Sequence, residues 1–249
     1  MTELVKVYTC FGGGLIHSLV NINGTLGQID RYPETDFELI ISMRGGAFGE
    51  VFFDYFDLLC PKNVKKTSYV MDNICPDKFT ILLDPEQLTT GSVHYVYRGP
   101  SNFSYCRLNS DTMRQIRDLT CHLDFNNLIG VHFRNTDYQN DIQNIIEKTE
   151  RLRVDNNPIF LATDDIEAVK VFTDRFGDSL IHLAKLEPLD NSKNFHYHRG
   201  SIMQKDKLLD CLVDLYVLAK VKTNVYSEKS SWCRFITTIK KQNIIIDLV

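Results

Sequence analysis

Long apolar segments are absent from this sequence of 249 residues. Its apolar runs stop far short of the roughly 20 residues that a transmembrane helix needs. The first residues, M-T-E-L-V-K-V-Y, also lack the basic start, apolar stretch and small-residue cleavage site of a secretory signal. We therefore expect a cytoplasmic protein without a transmembrane segment.

An excess of basic residues is missing as well. Lys and Arg together number 28 against 32 Asp and Glu, which gives a formal net charge of -4. Nucleic acids and anionic membrane surfaces favour proteins that carry clusters of positive charge. The balance argues against both partners, and it predicts that an anionic ligand is bound by a few individually placed cations.

Clustered cysteines and metal-ligand motifs are a third absence. The seven cysteines are scattered, their number is odd, and no two of them form a C-x-x-C pair. This usage predicts reduced thiols rather than the disulfides of secreted proteins. His196 and His198 alternate as a pair of metal ligands does, but no third ligand follows at a suitable spacing, so we expect no metal site.

The order of apolar segments is the main signal of the fold. Predicted strands cover residues 5–10, 37–43, 80–83, 93–97, 128–133, 159–162, 179–183, 224–227 and 244–248. Predicted helices cover residues 15–29, 51–59, 111–122, 165–175, 205–220 and 232–240. Continuous apolar strands that alternate with helices are typical of a parallel sheet covered on both faces, so we predict an α/β fold.

Basic side chains lie at the end of the strand predicted for residues 128–133. His132 and Arg134 alternate there with apolar residues, and Arg134 stands at the carboxyl end, where sheets of this kind bind their ligands. A guanidinium group can bind phosphate oxygens through charge-assisted hydrogen bonds. The alternative is an ion pair between Arg134 and Asp137 that fixes the following loop.

Two adjacent acidic residues follow the next strand. Asp164 and Asp165 could accept hydrogen bonds from ribose or sugar hydroxyl groups. The alternative is structural, because Asp164 with Glu167 three residues later has the spacing of a capping box. From the spacing alone the cap is favoured.

Three acidic residues recur along the helix predicted for residues 205–220. Asp206, Asp210 and Asp214 follow each other at intervals of four, where like charges repel. A narrow solvated stripe accounts for Asp206 and Asp210. Asp214 has apolar neighbours, and a buried carboxylate there would need donors such as the N1–H and N2–H2 groups of guanine, which makes it the best ligand candidate of the three.

Two loops could approach an anionic ligand. Residues 227–232 join a strand to a helix, and the free N–H groups and hydroxyls at that helix start can bind an anion. Ordinary capping by Ser230 or Ser231 is the equal alternative. The glycines 12–14 lack the spacing of a dinucleotide motif or a phosphate-binding loop, and they indicate only a tight turn that a ligand can approach closely.

Taken in order, these segments resemble the fucosyltransferases that share the H-x-R-R-x-D motif. That group comprises the α-1,6-fucosyltransferases and NodZ-like enzymes and, more distantly, the α-1,2- and protein O-fucosyltransferases. The resemblance rests on G-V-H-F-R-N-T-D-Y at residues 130–138, F-L-A-T-D-D at 160–165, and the stretch 209–235 with V-D-L-Y-V-L-A and S-S-W-C-R. It covers about residues 120–240, and the glycine-rich opening is similar to the start of the family.

The resemblance implies a role for individual residues. It implies that His132 and Arg134 hold the β-phosphate of GDP-fucose and that Asp214 reads guanine. The other residues that it places beside the donor are Asp164, Asp165, Ser230, Ser231, Gly13 and Gly14. Arg134 and Asp141, the acidic residue nearest to the one that follows the family motif, are the implied catalytic residues. The sequence departs from the family at Asn135, where the second arginine stands, and at Tyr138, where a lysine stands.

The resemblance also implies an architecture and a reaction. The fold would be GT-B-like, with an acceptor-side α/β domain at residues 1–110 and a Rossmann-type domain for the nucleotide sugar at 111–249. The reaction would be inverting transfer of fucose, or a related deoxyhexose, from a GDP-sugar to a glycan acceptor, without metal or cofactor. The alternatives are a non-catalytic module that binds a nucleotide sugar or a glycan, and a relative that uses another donor such as UDP- or GDP-xylose.

Overall fold

The computed structural model describes residues 4–10, 14–43, 51–70, 83–96, 103–134, 140–184, 201–227 and 230–242. Several predicted features lie outside these residues, namely Gly13, Asn135, Asp137, Tyr138, His196, His198, most of the strand predicted at 80–83 and the strand predicted at 244–248. The chain divides into two compact units, the first ending at Asn109 and the second beginning at Ser110.

The first unit is built on a four-stranded parallel sheet. Its elements are β1 (Val5–Cys10), α1 (Leu15–Ile29), β2 (Phe37–Ser42), α2 (Phe52–Tyr55), β3 (Phe56–Leu58), β4 (Val64–Val70), β5 (Val93–Tyr95) and β6 (Cys106–Leu108). The sheet has the order β4-β2-β1-β5, and β3 pairs with β6 in a separate antiparallel ladder. Helix α1 packs on β1.

Helix α1 is buried over most of its surface, so its polar groups need partners inside the protein. The Asn23 side chain supplies one set, because its Oδ1 accepts hydrogen bonds from the backbone N–H groups of Tyr105 (2.9 Å) and Cys106 (3.2 Å). Asn63 satisfies the helix end by donating to the carbonyl of Ile29 at 3.0 Å. These bonds fix α1 to the rest of the first unit.

The helix predicted for residues 51–59 is wrong in its second half. Only Phe52–Tyr55 is helical, and Phe56–Leu58 continues as β3, whose backbone groups pair with β6. Aromatic residues favour strands, and the rings of Phe52 and Phe56 stack with centroids 4.3 Å apart. Sequence reasoning also missed β4, because this edge strand is mostly polar and lacks a continuous apolar run.

The second unit is the more regular of the two. Its elements are α3 (Ser110–Thr120), β7 (Ile129–Phe133), α4 (Ile142–Leu152), β8 (Ile159–Thr163), α5 (Ile166–Phe176), β9 (Leu180–Ile181), α6 (Ser201–Lys220), β10 (Thr223–Tyr226) and α7 (Ser231–Gln242). The four strands are parallel in the order β10-β7-β8-β9. Among the helices of the described residues, none combines the length and apolar character that a membrane crossing needs.

Alternate residues of β7 face opposite sides of this sheet. Ile129, Val131 and Phe133 belong to a buried cluster with residues of α4 and α5. Gly130 faces the other side, where a Cβ atom would come within 2.9 Å of Leu218 on α6 and 2.8 Å of Val221 just after it. Glycine at this position therefore lets α6 approach the sheet closely.

The strand order of the second sheet reverses beside β7. The chain runs from β7 to β8 and β9 on one side, and then returns to the other side of β7 as β10. The order therefore reverses between β7 and β10. In open parallel sheets ligands bind outside the carboxyl ends of the strands at such a point.

Candidate functional site

Arg134 and Ser227 follow the two strands that flank the reversal point. Arg134 comes directly after β7 and is half-buried, whereas Ser227 comes directly after β10 and is fully buried. The Arg134 backbone N–H donates to Ser227 Oγ at 3.1 Å, and the Ser227 N–H donates to the His132 carbonyl at 3.0 Å. Asp137 lies outside the described residues, so its predicted ion pair with Arg134 stays an open alternative.

His132 is buried beside this pair. Its imidazole stacks on Trp232 of α7, with centroids 5.5 Å apart and an angle of 13° between the rings. Its Nδ1 has no hydrogen-bond partner among the described residues. Burial, together with the nearby Arg134 guanidinium, lowers the pKa of His132 to about 3. His132 is therefore neutral at pH 7, so of these two residues it is Arg134 that carries a positive charge.

An acidic side chain on α6, the half-buried Asp214, is the next part of the site. Its carboxylate oxygen Oδ1 is buried and has no hydrogen-bond partner within the described part of the chain. Burial raises the pKa of Asp214 well above its ordinary value, and the negative charges of Asp210 and Asp164 raise it further. The structure thus brings an acid from the end of β8 together with two acids from α6.

The pKa of the Cys211 thiol is affected by the same charged groups. Burial raises its pKa, the charges of Asp214, Asp210 and Asp164 raise it further, and Arg134 acts in the opposite direction. The backbone geometry agrees, because Arg134 and Asp164 directly follow the paired residues Phe133 and Thr163 of neighbouring strands, and α6, which carries Asp210 and Asp214, packs on β7. Three of the residues that the sequence singled out, namely Arg134, Asp164 and Asp214, therefore come together.

The expectation of a solvated Asp210 is wrong, whereas Asp206 is exposed as expected. Only 8% of the Asp210 surface is accessible. Helix α6 is covered by α3, α7 and β7. These elements shield Asp210 from solvent but leave Asp206 exposed. Sequence spacing could not show this, because the covering elements are distant along the chain.

Asp165, not Asp164, caps helix α5. Its Oδ1 accepts hydrogen bonds from the N–H groups of Glu167 (2.9 Å) and Ala168 (3.3 Å), and 3% of its surface is exposed. The predicted cap is displaced by one residue because β8 continues through Thr163, whose Oγ1 accepts from the Asp165 N–H at 3.1 Å. The role of Asp165 in donor binding stays a prediction.

The remaining predicted site residues start three helices. Asp141 is exposed and caps α4, accepting at Oδ1 from Gln143 N at 2.9 Å and from Asn144 N at 3.3 Å. Ser230 is buried and caps α7, accepting at Oγ from Trp232 N at 3.2 Å, and Ser231 is the first residue of that helix. Gly14 precedes α1 in the first unit. The capping alternative for Ser230 is thus confirmed.

The cavity beside β10 and the described cysteines are separate from the predicted site residues. A cavity of about 490 Å³ opens along the outer edge of β10, lined in part by Arg151, Tyr226 and Cys233, but none of the predicted site residues lines it. Among the residues that the structure describes, no three His, Cys, Asp or Glu side chains are placed to hold a metal ion. The six described cysteines are free thiols.

No protein-family model matches the chain, and no curated protein does. Among solved structures it is similar to NodZ, a fucosyltransferase from Bradyrhizobium, whose selenomethionine form matches with a TM-score of 0.62 at 17% identity, over 95% of this chain and 92% of that one. NodZ α-1,6-fucosyltransferase soaked with GDP-fucose matches at 0.58 and 16%, over 94% and 92%. The form co-crystallised with GDP matches at 0.61 and 16%, over 95% and 92%. The predicted α/β fold of parallel sheets flanked by helices is therefore confirmed.

Proposed function

We propose that this protein is a glycosyltransferase that transfers fucose from GDP-fucose to a glycan acceptor. One observation carries the proposal. Arg134 follows β7 at the reversal point of the second sheet, and α6 packs on that strand with Asp214, whose buried carboxylate oxygen has no donor among the described residues. The same fold occurs in NodZ, which has been crystallised with GDP and soaked with GDP-fucose.

Guanine supplies what Asp214 needs. A carboxylate inside a protein is costly unless hydrogen-bond donors surround it. The N1–H and N2–H2 groups of guanine offer two parallel donors to one carboxylate, whereas uracil presents carbonyl oxygens at the corresponding edge. We therefore assign guanine recognition to Asp214, with Asp164 and Asp165 near the sugar hydroxyls.

Arg134 is proposed to stabilise the leaving group. When the bond between fucose and GDP breaks, negative charge builds on the β-phosphate. A cation aimed at that group stabilises the transition state more than the ground state. Because His132 is neutral, it would contribute a hydrogen bond and Arg134 the charge. The start of α7 would add the Ser231 N–H group and the hydroxyls of Ser230 and Ser231 for the phosphate.

The acceptor side of the proposal rests on fewer residues. Inversion requires an acceptor hydroxyl to attack opposite the leaving GDP, with a base to take its proton. Asp141 is the proposed base, since its carboxylate is exposed and its capping bonds use only Oδ1. The first unit is proposed to bind the acceptor, whereas its Gly13 and Gly14 are proposed to lie beside the donor, and no metal or cofactor is required.

Nucleotide-dependent stabilisation tests this function. GDP is expected to raise the unfolding temperature in the presence of EDTA, whereas UDP at the same concentration is expected to have little effect. Incubation with GDP-fucose and a panel of glycans should then release GDP and yield fucosylated product. Stabilisation by UDP instead of GDP would contradict the guanine assignment and favour another donor.

A non-catalytic binding module is the second candidate. It is favoured by Asn135, which stands at the position of the second arginine in the H-x-R-R-x-D motif. A chain with this function would bind GDP-fucose but would neither hydrolyse it nor transfer the sugar. Turnover of GDP-fucose therefore separates the two candidates.

A further inference from the structure

We propose that Ser227 is the residue that positions Arg134, a role that rests on the function proposed above. Ser227 follows β10 immediately, and only 1% of its surface is exposed. Three of its groups are engaged in hydrogen bonds with described residues. Its N–H donates to the His132 carbonyl, its hydroxyl accepts from the Arg134 N–H, and its carbonyl accepts from the Ser230 N–H at 3.1 Å.

The hydroxyl takes the place of a backbone carbonyl. In a parallel ladder a residue donates its N–H to one residue of the neighbouring strand and accepts, at its own carbonyl, from the residue two further on. Ser227 makes the first of these bonds, to His132, but the Arg134 N–H binds Ser227 Oγ instead of the carbonyl. The hydroxyl also donates to the His132 carbonyl at 3.4 Å, so the side chain extends the pairing of β7 and β10 by two bonds.

Because the hydroxyl binds the Arg134 N–H, the Ser227 carbonyl can accept a different hydrogen bond. The Ser227 carbonyl accepts from Ser230, whose own hydroxyl caps α7 by accepting from Trp232 N. Trp232 in turn stacks on His132. One residue therefore holds both the backbone of Arg134 and the start of α7, which are the two parts of the proposed phosphate site.

The variant Ser227→Ala isolates the hydroxyl, because the bonds of the Ser227 N–H and carbonyl do not need the side chain. If the hydroxyl aims Arg134 at the β-phosphate, the variant should lose affinity for GDP but not for GMP, which lacks that phosphate. We expect the ratio of the two affinities, measured by calorimetry, to fall about tenfold. For turnover, kcat with GDP-fucose should fall more than KM rises.

Three further variants separate positioning from simple destabilisation. In the Arg134→Ala background, Ser227→Ala should leave the GDP-to-GMP ratio unchanged, since the group that it positions is gone. Ser227→Thr retains the hydroxyl and should recover the wild-type ratio. Thr149→Val removes another buried hydroxyl, on α4, and should lower the unfolding temperature without changing the ratio.

Two failures are distinguishable. If wild-type protein binds GDP but Ser227→Ala lowers GDP and GMP affinity equally, or lowers neither, the positioning role is wrong and the proposed function stands. If wild-type protein binds neither GDP nor GMP, the proposed function itself is wrong, and the role of Ser227 falls with it.

Discussion

Two acidic side chains of the second unit, the buried Asp165 and the half-buried Asp214, differ in how their carboxylate oxygens are satisfied. Asp165, at the start of α5, accepts hydrogen bonds from two backbone N–H groups at 2.9 and 3.3 Å. Asp214, within α6, has a buried oxygen without a donor among the described residues, and its neighbours Asp210 and Asp164 carry like charge. A buried carboxylate oxygen alone therefore does not indicate a site for a ligand's donors, whereas a buried oxygen without a donor does.

The largest effect is expected when the cation near the unsatisfied acid is removed. Arg134→Ala should lower kcat for fucose transfer a hundredfold to a thousandfold, about 3–4 kcal/mol of transition-state stabilisation, by analogy with the loss of one oxyanion-hole donor. The fold should persist, because the backbone N–H that binds Ser227 remains. Activity within tenfold of wild type, in protein with an unchanged unfolding temperature, would refute the role of Arg134.

The next effect tests Asp214 directly. Asp214→Asn keeps the shape but replaces one acceptor oxygen with a donor, which leaves a guanine N–H without its partner. GDP affinity should fall roughly ten- to a hundredfold, because an unsatisfied buried group costs about 1–3 kcal/mol. Unliganded protein should be as stable as wild type or slightly more so, since repulsion with Asp210 is relieved. Asp206→Asn, at an exposed position of the same helix, is the matched control and should bind GDP normally.

If Asp214→Asn binds GDP as tightly as wild type, the guanine assignment is wrong. A buried carboxylate oxygen without a hydrogen-bond donor would then not indicate a ligand-binding position in this protein. Asp210 would become the next position to test, because it is buried in the same group.

Local sequence signals predicted much of the second unit, since its strands are continuous apolar runs. The predicted strand at 128–133 is observed as β7, Ile129–Phe133, and the predicted helix at 205–220 lies within α6. Helix α4 was missed although Ile142, Ile145 and Ile146 have helical spacing. In the first unit β4 escaped notice, because its seven residues are mostly polar and its strand character comes from pairing with β2.

The sequence predicted those site residues that stand out from their immediate neighbours along the chain. Arg134 stands out as a cation at a strand end, and Asp214 as an acid among apolar residues. The burial of Asp210 depends on helices distant in sequence, and the bond from Arg134 to Ser227 joins residues 93 positions apart. Tertiary packing creates both features, so no short pattern contains them.

A third prediction concerns pH. The folded pKa of Asp214 lies above its unfolded value, so its contribution to stability is fully present below the unfolded pKa, near 3.9, and is lost as the pH rises through the folded one. Stability of the unliganded protein should therefore decline as the pH rises through that window. Asp214→Asn should flatten it, as measured by urea unfolding at several pH values.

The affinity for GDP should have the opposite pH dependence to the stability of the unliganded protein. Guanine donors pair with the ionised carboxylate, so GDP affinity is expected to rise as Asp214 loses its proton and to become less dependent on pH in Asp214→Asn. An affinity that falls as the pH rises through the same window would argue that the protonated acid binds the ligand.

The smallest effect is expected at the satisfied acid. Asp165→Ala removes the cap of α5 and should lower the free energy of unfolding by about 1 kcal/mol, within the range of 0.5–2 kcal/mol typical of N-cap losses. Asp165→Asn should restore nearly all of it, because asparagine caps helices as well as aspartate does and only the charge is lost. Urea unfolding of the two variants measures both values. If Asp165→Asn is as unstable as Asp165→Ala, the charge of Asp165 matters rather than its hydrogen bonds, and the contrast with Asp214 no longer holds.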